Sequence, residues 1–555
     1  MTDKEILTAD HNLLNELTFR FKASVLIIIR FLINSFHGTT RFPTAELLKN
    51  EQVIAVSETD LWNPDDNEQN WILTAGKIQN LRTAARRLHG IEVPADEIFS
   101  FWKHVGAPVA RRGYVVGREI REGCIVPAIA GGLCQLSNAL YDNALKSGCE
   151  IIERHRHTKV VKGSLAELDR DATVKWNYID LRFRSNHAFR IEVELTSDKL
   201  VVTFRSPLRK KDDGQGQPGR LIAPSKLNDC YSCGNVGCFK HPDKSGKNTQ
   251  TSTTAFILDE RWKEYDEHVK TIAESKDTIV LPSSADRLTR SFLFRLAAGF
   301  KRNIFSTSLH LDRLVARKMA KRIPTGSNHI VVSQNLLPFI WKEGALGGRT
   351  FDVLMTRLPI EKLHERLDLA HKKYPQSATL NDFRASNDLI DLENIALTKA
   401  RHIITPHDEI ARIFVHKSIK LDWACPAPER GNKIGTKVLF PGSALARKGA
   451  YEMGQLAREL NLQVVVLGNA TEDPSFWDGL NVERPGADPF DNVQLVVYPV
   501  YVEHLPRILL KAIASGIPVV TTTASGISES DHVTIVPIGD FELLKDAVVK
   551  RLRQR

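Results

Sequence analysis

At 555 residues, 42% of them hydrophobic and 26% charged, the chain is long enough for roughly three or four domains with packed cores, which excludes disorder as its general state. The formal charge of +10 suits anionic partners such as nucleoside diphosphates, polyprenyl phosphates or an acidic membrane face, and equally suits a merely soluble basic surface. Seven cysteines, an odd number with three in one cluster, favour metal chemistry in a reducing compartment over a disulfide framework.

The N-terminus starts acidic, Met1-Thr2-Asp3-Lys4-Glu5, with no short apolar core followed by a small-residue cleavage site, so no secretory signal is read and a cytoplasmic location is expected. Val25 to Ile33 is the most apolar stretch, but Arg30 interrupts it and it is far shorter than the ~20 residues of a spanning helix. It is read as an amphipathic helix that packs on the protein. Peripheral docking at the inner face of the membrane, with Arg20, Lys22 and Arg30 beside the lipid, is the other use of such a helix.

An α+β domain is expected over residues 1–205, closing with alternating strands at Thr173–Phe183 and Phe189–Phe204. Its centre is Gly131-Gly132-Leu133-Cys134-Gln135-Leu136-Ser137, leading into a helix that ends near Gly148. The two glycines allow a sharp turn, and the helix start, with its unpaired N–H groups, favours a thiolate at Cys134. Cys134, Ser137, Asn138 and Tyr141 share one helical face, while Leu133, Leu136, Leu140 and Ala144 share the face that packs. A catalytic reading pairs Cys134 as nucleophile with His155 or His157 as base and Asp171 as its orienter. The alternative is a small core thiol, histidines satisfying backbone groups, and a turn closed by Arg170-Asp171. Cys124, Cys149 and Cys425 have no partner pattern and are read as core.

Phe99-Ser100-Phe101, Val105-Gly106, Arg112-Gly113-Tyr114, the Gly-Gly-Leu-Cys-Gln-Leu-Ser run, Glu153-Arg154-His155-Arg156-His157 and Arg170-Asp171-Ala172-Thr173-Val174 together closely resemble the VanW family over about residues 80 to 205. That family takes its name from a glycopeptide-resistance cluster, so the resemblance implies a connection with the cell envelope more than a particular reaction.

Residues 206–275 read as a linker that opens with a charged, glycine-rich stretch from Ser206 to Gly219. It carries Cys230-x2-Cys233-x4-Cys238-x2-His241, four ligands in one short segment, which suits a closed tetrahedral structural zinc of Cys3His type. An iron–sulfur cluster is the alternative occupant. Nucleic acid is not an expected partner, because no repeated basic and aromatic face accompanies Phe239 and Lys240.

From about Thr278 short apolar strands alternate with helical patterns: Thr278–Leu281, His329–Ser333, Phe351–Met355 and His402–Thr405, then Lys437–Phe440, Gln463–Gly468, Val493–Val497 and Val519–Thr522. This is the signature of parallel sheets covered on both faces. Two doubly wound, Rossmann-like α/β domains are expected at 276–430 and 431–555, with a hinge at Asn432 to Thr436.

In the last domain Phe440-Pro441-Gly442-Ser443 ends a strand and Arg447-Lys448-Gly449 opens a helix, which places two cations and an end dipole where a diphosphate could sit. Val502-Glu503-His504-Leu505-Pro506 and Ser515-Gly516-Ile517-Pro518 supply further loops at the same sheet edge. Over about residues 437 to 530 these segments are similar to the donor half of GT-B glycosyltransferases of the retaining, sugar-nucleotide type. The resemblance implies donor binding by Gly442, Arg447, Lys448, Glu503 and Gly516, with Glu503 also the acidic residue at the reacting sugar, and chemistry that needs no metal. One position departs: the second glutamate of the donor motif falls on Lys511, and an ammonium cannot accept a bond from a ribose hydroxyl. In the preceding domain Ser333-Gln334-Asn335, Leu346-Gly347-Gly348-Arg349, Thr379 to Arg384 and Thr405-Pro406-His407 mark loops where acceptor groups could be displayed.

The function expected from these residues is transfer of a sugar from a nucleotide-sugar donor to a cell-envelope, glycan or lipid-linked acceptor. Two alternatives stand beside it: a cysteine-dependent enzyme acting on peptide or amide bonds of wall precursors, and a non-catalytic nucleotide or carbohydrate binder, which the Lys511 departure keeps open.

Overall fold

The computed structural model describes residues 40–207, 221–229, 253–299, 304–426 and 435–554, apart from 64, 65, 67, 122, 123, 177, 226 and 383, together with Phe21, Val25 and Ile28–Arg30. The chain divides into two units. The first holds residues 1–253 with the short segments 324–329 and 344–349, and the second holds the remainder.

In the first unit a four-stranded antiparallel sheet runs in the order Gln52–Asp60, Lys199–Ser206, Phe189–Leu195, Ile91–Val93. Strand Lys199–Ser206 alternates strictly, turning Leu200, Val202, Phe204 and Ser206 inward, as period-two patterning requires of a half-buried strand. Helix Glu68–Leu88 lies on the buried side with Ile78, Leu81, Ala84 and Leu88 fully enclosed, a spacing of three and four. It stops at Gly90, whose positive φ of 83° suits glycine and whose N–H bonds to Ile191 O at 2.7 Å. Phe99, Phe183, Phe189 and Phe204 form a continuous aromatic core with ring centroids 4.8 to 6.0 Å apart. Each buried ring contributes about 1.5–3 kcal/mol of transfer free energy.

Two small sheets complete this unit: the hairpin Val116–Arg121 with Cys124–Ile129, joined by Asn228–Asp229, and the set Ile98–Ser100, Arg182–Arg184, Glu150–Glu153. The expected strand at Thr173–Phe183 is largely absent. The described residues between 173 and 181 make a loop with an isolated bridge, Lys175 to Ile179, and strand geometry begins at Arg182. Its apolar side chains Val174 and Leu181 are buried from a loop instead. Arg30, expected near lipid if its helix docked, is paired with Glu153 and lies 3.9 Å from Asp180. Among the described residues no helix is long and apolar enough to cross a membrane.

The second unit contains two parallel sheets. One has the order Thr278–Val280, Thr253–Ile257, Ser327–Ser333, Thr350–Leu354, His402–Thr405, Ser418–Lys420. Strand Thr253–Ile257 and helix Lys263–Ile272, assigned by the sequence pattern to the linker, are integral to this sheet and its cover. The other sheet runs Val482–Glu483, Val464–Val466, Lys437–Phe440, Val493–Tyr498, Val519–Thr522, Val533–Val536, all parallel. In chain order this is 3-2-1-4-5-6, so the winding reverses between Lys437–Phe440 and Val493–Tyr498, and a crevice opens beyond their carboxyl ends. Of the expected hinge, residues 432–434 lie outside the described residues.

Candidate functional site

Two sites gather the chemistry-bearing residues, one in each unit. In the first unit, helix Cys134–Lys146 follows a tight turn in which Ala130 and Gly132 both have positive φ, 61° and 96°. A Cβ on Gly132 would sit 2.1 Å from Lys77 Cγ, so only glycine lets the turn close there. Leu136, Leu140 and Ala144 are fully buried, while the opposite face meets the segment 154–174. Ser137 Oγ donates to Ala172 O at 2.5 Å, and Asn138 Oδ1 accepts from Ala172 N at 2.8 Å. The Arg154 guanidinium lies over the Tyr141 ring at 4.8 Å and donates to Asp171 O at 2.6 Å.

This face therefore fixes the loop that carries Asp171. The Asp171 carboxylate accepts from His157 at two points, Oδ2 from the backbone N and Oδ1 from Nδ1, each at 2.5 Å. The Cys134 thiol also bears on the His157 imidazole, favouring its charged form. Burial alone would lower the pKa of His157, but its bonds to Asp171 and Cys134 outweigh that and hold it up at about 10. The Cys134 sulfur is part-exposed and also faces Val174 O at 3.8 Å. His155, the other candidate base, is half exposed and turns to Glu153 at 3.6 Å. The structure thus brings Cys134, His157 and Asp171 together and leaves His155 out.

In the second unit, Lys448 and Glu503 meet beyond the carboxyl ends of strands Lys437–Phe440 and Val493–Tyr498. Lys448 Nζ lies 2.9 Å from Glu503 Oε2 and 3.3 Å from Val502 O. Tyr498, the last residue of its strand, donates to the same Oε2 at 2.7 Å, while Oε1 accepts from His504 N and Leu505 N at 2.8 and 3.1 Å. Burial pushes the Glu503 pKa up, but the Lys448 charge and these donors prevail and keep it at about 2. Gly442 packs so closely that a Cβ would lie 2.8 Å from Phe440 Cζ and 3.1 Å from Lys448 Cβ.

Arg447 turns differently from its neighbour: its guanidinium reaches Thr379 O at 3.4 Å and Asp382 at 3.9 Å in the preceding α/β domain. The turn that carries the two cations is a 3-10 turn, Ala446–Lys448, capped by Gly449 with φ 77°. Its amides are largely spent: Ala446 N donates to Glu472 Oε1, Lys448 N to Leu445 O and Gly449 N to Ala446 O. The expected contribution of free N–H groups is thereby reduced, and the charge of Lys448 dominates the crevice.

The family described as VanW like protein matches residues 76–205. Residues 76–205 are a VanW domain. Over this region the chain is 32% identical across 141 residues to the vancomycin B-type resistance protein VanW of Enterococcus faecalis, covering 23% of this chain and 49% of that protein. It is 30% identical across 132 residues to the uncharacterized protein YoaR of Bacillus subtilis, 23% of this chain and 43% of that one. The chain thus spans less than half the length of each of these relatives. The family described as glycosyl transferases group 1 matches residues 448–554. Among solved structures, sucrose-phosphate synthase from Thermosynechococcus elongatus aligns at 17% identity over 45% of this chain and 70% of that one, TM-score 0.31. Anabaena HepE in complex with UDP aligns at 11% over 54% and 90%, TM-score 0.33.

Outside the VanW domain and the crevice, the other sequence-marked residues fall as follows. Gly516, with φ 71°, and Lys511 flank the end of helix Arg507–Ala514, which follows Glu503. Leu346 to Arg349 precede a strand, and Arg349 is buried against Ser327 O, Ala345 O and Pro324 O. His407 is fully buried, and burial lowers its pKa to about 4. Cys425 is exposed, against the core reading, whereas Cys149 is buried. Cys230, Cys233, Cys238 and His241 lie outside the described residues. Sequence reading missed Tyr498 and Glu472; a hydroxyl closing an apolar strand, as in Val493–Tyr498, was the one legible signal.

Proposed function

We propose that the two α/β domains form a GT-B glycosyltransferase that moves a sugar from a nucleotide-sugar donor to an envelope, glycan or lipid-linked acceptor. The observation that carries this reading is the Lys448–Glu503 pair, seated at the switch point of the 3-2-1-4-5-6 sheet. The group 1 glycosyltransferase match over residues 448–554 supports it.

In this reading the Lys448 ammonium offsets negative charge on the departing nucleoside diphosphate, an electrostatic contribution that is usually the largest in such sites. Glu503, kept ionised by Tyr498 and two backbone amides, holds donor hydroxyls. Arg447 braces the crevice against the acceptor-side domain through Thr379 and Asp382. Lys511 stands where a ribose-binding glutamate is expected, so ribose recognition falls to other groups. Thermal-shift screening of nucleotide sugars, followed by turnover with the best ligand, tests the proposal. A ligand that binds the native state raises its melting point, and Lys448→Ala should reduce that shift and lower turnover. Turnover unchanged in Lys448→Ala removes the diphosphate role.

The Cys134–His157–Asp171 arrangement favours a second reading for the VanW domain, acyl transfer at peptide or amide bonds of wall precursors. With its pKa held at about 10, the His157 imidazole carries the proton shared with Cys134; the sulfur attacks the carbonyl carbon, and as the C–N bond breaks the imidazolium gives that proton to the leaving amine. Water then hydrolyses the thioester. Selective alkylation of Cys134 in the folded protein tests it, and inertness there returns the residue to a core role.

A further inference from the structure

A cavity of about 170 Å³ in the first unit is lined by Arg41, Arg87, Lys103, His104, Gly106 and Arg112. Four of these side chains are cationic, and no carboxylate among the described residues lines the cavity. Several arginines elsewhere in this unit are paired with carboxylates: Arg154 with Asp169, Arg184 with Glu150, Arg205 with Glu192. Among the described residues Arg41, Arg87, Lys103 and Arg112 have no such partner.

The cavity is also built. Arg87 donates to Val105 O at 2.7 Å and to Tyr114 OH at 3.2 Å, clamping the loop that carries Gly106 and Arg112. Gly106 has φ 70°, and a Cβ on it would lie 2.3 Å from Arg112 Nη1, so glycine lets the guanidinium lie against the backbone. His104 forms part of the wall. Its Nε2 accepts from Phe42 N at 3.1 Å, so its proton sits on Nδ1 and is given to Ser100 O at 2.8 Å. With both nitrogens satisfied the ring is neutral, in keeping with the downward pull of burial, Arg41 and Lys103 on its pKa.

Like charges gathered without counter-ions cost free energy unless an anion joins them. Guanidinium forks and an ammonium arriving from several directions match a multi-oxygen dianion better than a planar carboxylate. The volume is below the roughly 300–1,000 Å³ of a site that encloses a whole small molecule, so it fits a head group whose remainder stays outside. We propose that this pocket binds a phosphate or phosphoanhydride group, carried by a soluble or a lipid-linked ligand, at a site separate from the Lys448–Glu503 crevice.

The test uses the full chain with Lys448→Ala, so that the donor crevice is disabled. Calorimetric titration with inorganic pyrophosphate is compared with the same protein carrying Arg41→Gln, Lys103→Gln and Arg112→Gln; Arg87 is kept because it holds the loop. Binding that the added substitutions weaken tenfold or more, at an unchanged melting temperature, supports the site. Lys103→Gln alone, expected to weaken binding severalfold, serves if the combined variant melts early. Binding to phosphatidic-acid-containing phosphatidylcholine vesicles, but not to free pyrophosphate, and lost in the variant, supports the same site with a lipid source. Binding to neither probe, or equal binding by both proteins, overturns the proposal.

Discussion

Lys448 and Glu503 stand 55 positions apart in the chain and meet with Nζ 2.9 Å from Oε2 at the carboxyl edge of the last sheet. The contact joins the ends of two strands that the sequence separates by a whole helix–strand unit, and it sets the chemistry of the crevice. Substitution should divide the two roles. Lys448→Ala is expected to lower donor turnover about 10²–10³-fold, the usual cost of removing one preorganised electrostatic group. Glu503→Gln retains shape but not charge and should chiefly weaken sugar-donor binding. Steady-state kinetics with a nucleotide sugar separate the effects, and equal kcat for Lys448→Ala and the native protein would contradict the assignment.

At the VanW thiol, His157→Ala should slow iodoacetamide labelling of Cys134 tenfold or more while far-UV circular dichroism stays native. The His157 pKa is raised to about 10 from an ordinary 6.5, so its pairing contributes stability that is complete below pH 6.5 and fades as pH rises towards 10. Urea unfolding midpoints measured between pH 7 and 10 should therefore fall, and Asp171→Asn should flatten that fall. A labelling rate indifferent to His157 would dismiss the catalytic pairing.

Two histidines give the opposite pH dependence. His407 and His504 are neutral in the fold, each with its pKa lowered to about 4 chiefly by burial. The unfolded chain takes up their protons near 6.5 and the native one does not, so their stabilising share is full above pH 6.5 and is lost as pH falls towards 4. The expected slope is on the order of 1 kcal/mol per pH unit for each histidine. Glu503, held at about 2, adds a separate loss between about pH 4.5 and 2. Denaturant titrations of His407→Gln should show the upper window reduced.

Gly526 has φ 69°, and a Cβ on it would lie 2.4 Å from the His407 ring. Gly526→Ala is therefore expected to cost about 1–3 kcal/mol through backbone strain and overpacking. Chemical denaturation measures it, and a neutral substitution would mean that the ring readily moves aside.

Asn138 is buried, and its Oδ1 meets the N–H of Ala172, next to the Asp171 that His157 depends on. Asn138→Ala strands that amide and should destabilise the domain by about 1–3 kcal/mol. It should also slow Cys134 labelling, a readout that lost packing alone would leave unchanged.

By itself the sequence determined the elements whose signal is local. Apolar runs fixed the parallel strands, three of them to the residue, at His402–Thr405, Lys437–Phe440 and Val519–Thr522. A three-and-four spacing fixed which face of the Cys134 helix is buried, and the glycine turn fixed the place of the thiol. Tertiary structure decided what depends on pairing across distance. It selected His157 over His155, gave Lys448 to Glu503 and Arg447 to Thr379 and Asp382, spent the amides of the 446–449 turn, and folded Thr173 to Leu181 as a loop despite its apolar alternation. Periodicity records only which side chains shun water, whereas the partner of a charge is chosen by where the whole backbone brings the opposite charge within hydrogen-bond reach.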